Sequence, residues 1–300
     1  MTVAGVNPAL PISAAMLGMA TFAGMDALMK GLSIEMGVYN ALLWRTGIAA
    51  CLALLLFSLK RCSLPGRAAL RIHLWRGLIT SVMAYLFFWG LVFIPLAEAI
   101  ALSFIAPLIA LYLAALLLGE TINRQTIIAS LLGLAGAIVI IQGKLSGDYS
   151  PEAAKGVAAI LLSATLYAYN LILQRQQALI ANPVEISLFQ NGTVTCIYLL
   201  FAPFLAVVPQ LHQWPVLTLT AALGVASLMC LSWAYARAEA KALIPVEYTA
   251  FIWASLLGWF MYGERLTLVT ISGTTLIVAG CLIAARLRPN DAEHVESTAV

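Results

Sequence analysis

Long apolar runs alternate with short polar breaks along the whole chain. The runs cover about residues 9–30, 37–58, 74–94, 96–118, 125–142, 154–174, 185–208, 215–236, 243–262 and 267–286. Each is long enough to cross about 30 Å of hydrocarbon as a helix, the one local structure that satisfies its backbone hydrogen bonds within a single segment. Glycine, proline and charged residues punctuate them, as in Arg61 to Arg67, Gly143 to Pro151, and Ala181-Asn182-Pro183. The pattern predicts an all-α polytopic membrane protein of ten transmembrane helices.

The runs repeat. Leu118-Gly119-Glu120 and Tyr262-Gly263-Glu264 recur 144 positions apart. At that offset Trp89 matches Trp233, Ala106 matches Ala250, Thr126-Ile127 match Thr270-Ile271 and Gly136 matches Gly280. In the second run of each half the offset is 145, which sets Leu43 to Gly47 against Leu188 to Gly192. Five spans per copy is an odd number, so the second copy threads the bilayer upside down, as in carriers built from inverted repeats. The expected organisation is a five-helix repeat over 1–145, an inverted five-helix repeat over 153–288, and a polar, disordered tail over 289–300.

Composition agrees and narrows the class. The chain is 62% hydrophobic and 10% charged, with a mean hydropathy of +0.97, too apolar to cover itself with a water-compatible surface. The first run is read as a retained helix, because no Lys or Arg precedes it and Asp26 and Lys30 lie near its end. With the N-terminus inside, the inner loops hold Lys60, Arg61, Arg67, Arg71, Arg76, Arg124, Arg175, Arg237, Lys241, Arg286 and Arg288. The outer ones hold Lys30, Lys144, Lys155 and Arg265. Both termini are therefore expected in the cytoplasm. The basic pI of about 8.6 reflects this spread rather than a nucleic-acid stripe, so no nucleic acid is expected as a partner.

Catalytic and cofactor patterns do not appear. The chain contains no G-x-x-x-x-G-K-[ST], G-x-S-x-G or H-E-x-x-H, and no cysteine pair has metal-ligand spacing. His73, His212 and His294 are expected in loops or the tail. The expectation is a protein that is not an enzyme, holds no cofactor or metal, and works on a small molecule within the bilayer.

Two five-helix inverted halves with a Gly-Glu pair after the fourth helix of each resemble the EamA-type carriers of the drug/metabolite transporter superfamily. Pro107 with Leu117-Leu118-Gly119-Glu120, Gly133 and Gly136 fit the pattern in the first half; Gly263-Glu264-Arg265-Leu266-Thr267 and Gly273 through Gly280 fit it in the second. The chain departs from it at Phe251, where a proline matching Pro107 is expected and Pro245 stands six residues earlier. The resemblance implies a secondary transporter of the bacterial inner membrane working by alternating access, with or without proton coupling. It implies substrates such as amino acids, nucleobases or nucleosides, riboflavin-like vitamins or S-adenosylmethionine. A channel or an intramembrane enzyme is the alternative. The family's fifth and tenth helices resemble a dimer contact; here Gly133-x-x-Gly136 and Gly273 with Gly280 serve either a homodimer or packing within one chain.

Charges inside the membrane are the sharper pointers, since each costs about 2.5–3.5 kcal/mol at a helix centre. Asp26, Arg45 and Glu98 fall at comparable depths, so Arg45 can pair with either carboxylate or hold an anionic substrate group while a carboxylate takes a proton or a cation. Their aligned positions in the other half are Asn170 for Asp26 and Gln190 for Arg45, while Glu247 aligns with Ser103. Glu247 is either a first-turn carboxylate behind Pro245 or a second proton or substrate group. Glu120 and Glu264 are expected to cap the helices that follow them. Trp89, Trp233 and Tyr248, with Tyr167 and other aromatics, are candidates for the walls of a pocket or for interfacial packing. The substrate and proton candidates are thus Asp26, Arg45, Trp89, Glu98, Asn170, Trp233, Glu247 and Tyr248.

Overall fold

In the computed structural model the backbone is described at residues 9–61, 64–106, 108–110, 112–113, 124–145, 151–235, 237 and 246–286. Glu120, Pro107, Pro245 and the tail lie outside these residues. Nearly all of what is described is helix: α1 (Ala9–Met36), α2 (Val38–Leu59), α3 (Arg67–Phe93), α4 (Leu96–Ser103), α5 (Arg124–Leu145), α6 (Pro151–Ile180), α7 (Pro183–Leu199), α8 (Ala202–Leu205), α9 (Gln213–Tyr235), α10 (Thr249–Tyr262) and α11 (Leu268–Arg286). Stretches of α1, α2, α3, α6 and α9 are long and apolar enough to cross a membrane, and α5, α10 and α11 carry shorter apolar runs. Leu211, Phe204, Leu268 and Phe260 are each at least 80% exposed. Large side chains of this kind cover a surface only where lipid is the solvent. The protein is a multi-pass membrane protein.

Local chemistry sets the helix ends. Gly37 alone separates α1 from α2, at φ +80°, a left-handed conformation that glycine adopts without a Cβ clash. Asn182 caps α7 by accepting the N–H groups of Val184 and Glu185, with Pro183 in the first turn. Gly263 ends α10 at φ +63°, its N–H bonded to the Trp259 carbonyl and that of Glu264 to the Gly258 carbonyl. The first of these is the 5→1 bond of an αL-type helix end.

The helices pair side by side: α5 with α11, α1 with α9, α3 with α6, α2 with α7, α1 with α10, α4 with α6, and α4 with α10. A shift by the sequence repeat turns each of these pairs into itself or into another of them. Interhelical serines follow the same scheme, since Ser227 on α9 donates to the Gly18 carbonyl of α1 and Ser163 on α6 donates to the Met83 carbonyl of α3. The α5–α11 contact is a glycine contact within one chain. A Cβ on Gly273 would stand 2.7 Å from the Gly136 carbonyl oxygen, so both glycines are needed for the helices to touch.

Three expectations about segment ends are corrected. The third helix begins at Arg67 rather than near residue 74, so His73, Arg71 and Arg76 lie on α3 and not in a loop. The first helix runs to Met36, which brings Lys30 inside it. The seventh apolar run is not one helix: α7 stops at Leu199, and residues 206–210 follow the single turn of α8 without helix. Lys30, His73 and Arg76 have partners inside the protein, so α1 and α3 extend past the apolar windows.

Candidate functional site

Polar side chains gather at two ends of the helix packing. Ile94 and Leu96 join α3 to α4 at one end, beside Lys30 near the end of α1. The opposite end holds the start of α3, the end of α6 and the start of α7.

At the Lys30 end, Lys30 forms an ion pair with Glu264 and donates to the Ile94 carbonyl at 2.8 Å. The other Glu264 oxygen accepts the Leu96 N–H at 2.8 Å. Glu264 therefore does not cap α11, as the sequence suggested; Thr267 does, its hydroxyl accepting the Thr270 N–H. The carboxylate folds back past Gly258 and caps α4, whose N-terminal Pro95 offers no side-chain acceptor. Tyr262 reinforces the junction by donating to the Ala27 carbonyl at 2.5 Å.

Asp26 lies one turn deeper on α1, 1% exposed, with no hydrogen-bond partner for either oxygen among the described residues. Arg45 acts on it electrostatically without forming a salt bridge. The guanidinium is half-buried; its Nη1 contacts the Met25 sulfur at 3.6 Å, and its Nε is unpartnered among the described residues. Neither pairing expected for Arg45 forms within bonding distance. Glu98, 3% exposed, accepts from Thr270 at 3.1 Å instead.

Asn170, the aligned partner of Asp26, sits in a quite different setting. Its Oδ1 accepts from Arg76 Nε at 3.0 Å and from Thr80 at 3.4 Å. Arg76, only 2% exposed, also donates to Gln177 and Gln174 of α6. Gln177 reaches His73 Nδ1, and His73 Nε2 lies 3.0 Å from Glu185. The imidazole stacks on Phe189, with ring centroids 5.0 Å apart. Tyr167, half-buried on α6, lies within the fields of Glu247, Arg76 and Asp26.

The remaining candidates are dispersed. Phe104 and Tyr248 meet edge to face where α4 ends and α10 begins. Glu247 precedes α10 and is half-buried. Trp89 packs edge to face on Phe93 of its own helix, and Trp233 lies under the Arg237 guanidinium, 4.3 Å from its ring centre. Neither tryptophan hydrogen-bonds to Asp26. Sequence reasoning missed Lys30, His73, Arg76, Gln177 and Glu185. A signal for them existed in the spacing, because His73 with Arg76, and Gln174 with Gln177, stand three residues apart on helices and present one polar face each.

Helices that bury charged side chains behind a lipid-facing surface make this a multi-pass membrane protein with polar sites in its interior. The chain belongs to the EamA-like transporter family, whose sequence profile matches residues 9–142 and again 154–286. It is 29% identical over 280 residues to the pseudopaline exporter CntI of Pseudomonas aeruginosa strain UCBPP-PA14, a match covering 91% of this chain and 95% of that protein. It is 29% identical over 257 residues to a riboflavin transporter of Rhizobium johnstonii, covering 82% and 80% of the two chains. It is 24% identical over 212 residues to the S-adenosylmethionine uptake transporter of Rickettsia bellii, covering 70% and 71%. A solved crystal structure shares the fold with a TM-score of 0.59 at 21% identity, covering 95% of this chain and 99% of that one. The family and these relatives are transporters and not enzymes.

Proposed function

We propose that the chain is a secondary transporter of the bacterial inner membrane that moves a small organic metabolite by alternating access, with Asp26 as the exchangeable proton- or cation-binding carboxylate. One observation carries the reading: a fully buried carboxylate whose two oxygens have no hydrogen-bond partner among the described residues, within reach of Arg45's field. An ionised group left in that state is strongly disfavoured, so Asp26 holds a proton here and exchanges it for a cationic substrate group or for solvent in another state. Arg45 then holds an anionic group of the same substrate. Metabolites such as those named for the relatives (pseudopaline, riboflavin, S-adenosylmethionine) are the first to be assayed.

Two five-helix halves in inverted orientation, 1–145 and 153–288, provide the rocking elements. Support comes from the double family match and from helix pairs that exchange under the repeat. Both termini face the cytoplasm on this reading, which the concentration of Lys and Arg in one set of loops supports.

The test is counterflow in proteoliposomes with a labelled metabolite found by a thermal-shift screen. Saturable counterflow whose rate depends on pH in the native protein and loses that dependence in Asp26→Asn is expected. An ohmic, non-saturating conductance would eliminate the carrier reading, and an unchanged pH profile in Asp26→Asn would remove Asp26 from it.

A further inference from the structure

The buried polar chain at the end opposite Lys30 contains a logical constraint on His73. Arginine can only donate hydrogen bonds, so the Gln177 atom facing Arg76 is its carbonyl oxygen, and the amide nitrogen is left to face His73. An amide N–H needs an acceptor, which makes His73 Nδ1 unprotonated. The remaining proton then sits on Nε2 and is donated to Glu185 at 3.0 Å. Arg76 thereby fixes, through Gln177, both the tautomer and the neutral charge of an imidazole with 0% exposure.

In that state the chain of bonds is complete. It runs from Arg76 through Gln177 and His73 to Glu185, whose other oxygen faces the Asn182 amide at 3.4 Å on the exposed turn before α7. Adding one proton breaks it. The proton occupies the Nδ1 lone pair, and two N–H groups then face each other between His73 and Gln177. Turning the Gln177 amide relieves that clash only by setting its NH2 against Arg76. The same three side chains tie α3 of the first half to α6 and α7 of the second.

We propose that His73 is a proton-binding site whose occupancy opens the seam between α3 and the α6–α7 pair. The proposal rests on the alternating-access reading for its use in transport, and it adds a second proton site far from Asp26. On the elements packed against α3, Asp26, Lys30 and Glu35 of α1, Arg45 of α2, Glu98 of α4, and Glu152 and Lys155 of α6 stand toward the Lys30 end, while Arg175 of α6 stands two residues before Gln177, at the His73 end. Arg67 and Arg71 share α3 itself and are exposed. Glu185 and the Arg76–Gln177 relay are the groups that address His73 among the described residues.

The chain has three histidines, so ¹⁵N-histidine NMR of the full-length protein in nanodiscs, with His212→Asn and His294→Asn removing the other signals, reads His73 directly. At the alkaline end the expected signature is a neutral Nε2–H imidazole. Lowering the pH from about 8 to about 5 is expected to produce the imidazolium together with roughly tenfold or greater acceleration of hydrogen exchange in residues 67–80 and 174–187, from the loss of about two hydrogen bonds. His73→Gln, which can donate to Glu185 and accept from Gln177 without titrating, is expected to hold exchange constant over that range. An Nδ1–H tautomer at the alkaline end, or titration of His73 in the native protein without a change in exchange, overturns the proposal; so does pH-dependent exchange that survives in a folded His73→Gln. These readouts use resting protein, so they are separable from a failure of the counterflow assay.

Discussion

Phe104 and Tyr248 meet edge to face, with ring centroids 5.0 Å apart and planes at 87°, and the two residues stand at matching positions of the sequence repeat. Both also mark breaks in helix. Phe104 follows the end of α4 in a turn, and Tyr248 is the turn residue between helical residues 246–247 and α10. Interrupted helices at corresponding places in two halves are where carriers of this architecture bend. The second half lacks a proline at Phe251, yet its chain turns at the position that matches the first.

Truncating one ring of that pair should therefore loosen the junction of the two halves. Phe104→Ala is expected to lower the melting temperature of the purified protein, with about 0.5–1.5 kcal/mol lost from the ring contact beyond the area term. Tyr248→Phe keeps the ring and is expected to melt close to the native protein. Thermal unfolding in detergent distinguishes them; equal losses in both would place the contribution in the Tyr248 hydroxyl.

The Lys30–Glu264 pair should behave as a buried one, because both side chains are shielded and both also bond backbone groups. Lys30→Met leaves Glu264 without its counter-charge and is expected to cost about 3–5 kcal/mol. Combining it with Glu264→Gln, which removes the stranded charge, should recover part of the loss. A double-mutant cycle on thermal or denaturant unfolding gives the coupling, and strict additivity would mean that the two groups do not interact.

Gly258 offers a route to the same carboxylate without altering any charge. A Cβ there would stand 2.5 Å from Glu264 Oε2, so Gly258→Ala is expected to push the carboxylate off the α4 N-terminus. Accessibility of a cysteine placed at Ala97 to a membrane-impermeant thiol reagent should rise as it does in Glu264→Gln. No change in labelling would show that the Glu264 side chain can move aside at little cost.

Asn170→Asp makes the second half chemically like the first at the position of Asp26. Because Asn170 accepts from Arg76 and Thr80, the new carboxylate gains a charge-assisted bond and is expected to be tolerated, with an unchanged or raised melting temperature. Arg76→Lys replaces a three-way fork with a single ammonium and is expected to destabilise. Thermal melts of the two variants test the pair, and a destabilised Asn170→Asp would contradict the assigned geometry.

Arg45→Gln copies the residue that the second half carries at the aligned position. Arg45 has one polar contact among the described residues, to the Met25 sulfur, so the variant is expected to fold while losing at least about tenfold in apparent affinity for an anionic substrate, the scale of one charged hydrogen bond. Binding by thermal shift across a ligand titration reads this out. Native affinity in Arg45→Gln would reduce the guanidinium to packing.

What the sequence determined by itself is the membrane class, the helical content and the family, because these rest on hydrophobic run length, on the period of the Gly-Glu junction and on motifs local to the chain. The breaks in the repeat at Asp26, Arg45 and Asn170 were also legible, since they can be read by aligning the halves. The tertiary structure alone decided how the charges are shared. Glu264 reaches across to α4 and α1 instead of its own neighbour. Asp26 is left without a hydrogen-bond partner among the described residues while Asn170 gains Arg76. His73 and Arg76 are drawn out of an expected loop into the packed seam by Gln177 and Glu185, more than a hundred positions away. Polarity marks a residue as needing a partner, but only the packing of distant helices supplies one, and no local window of sequence contains that information.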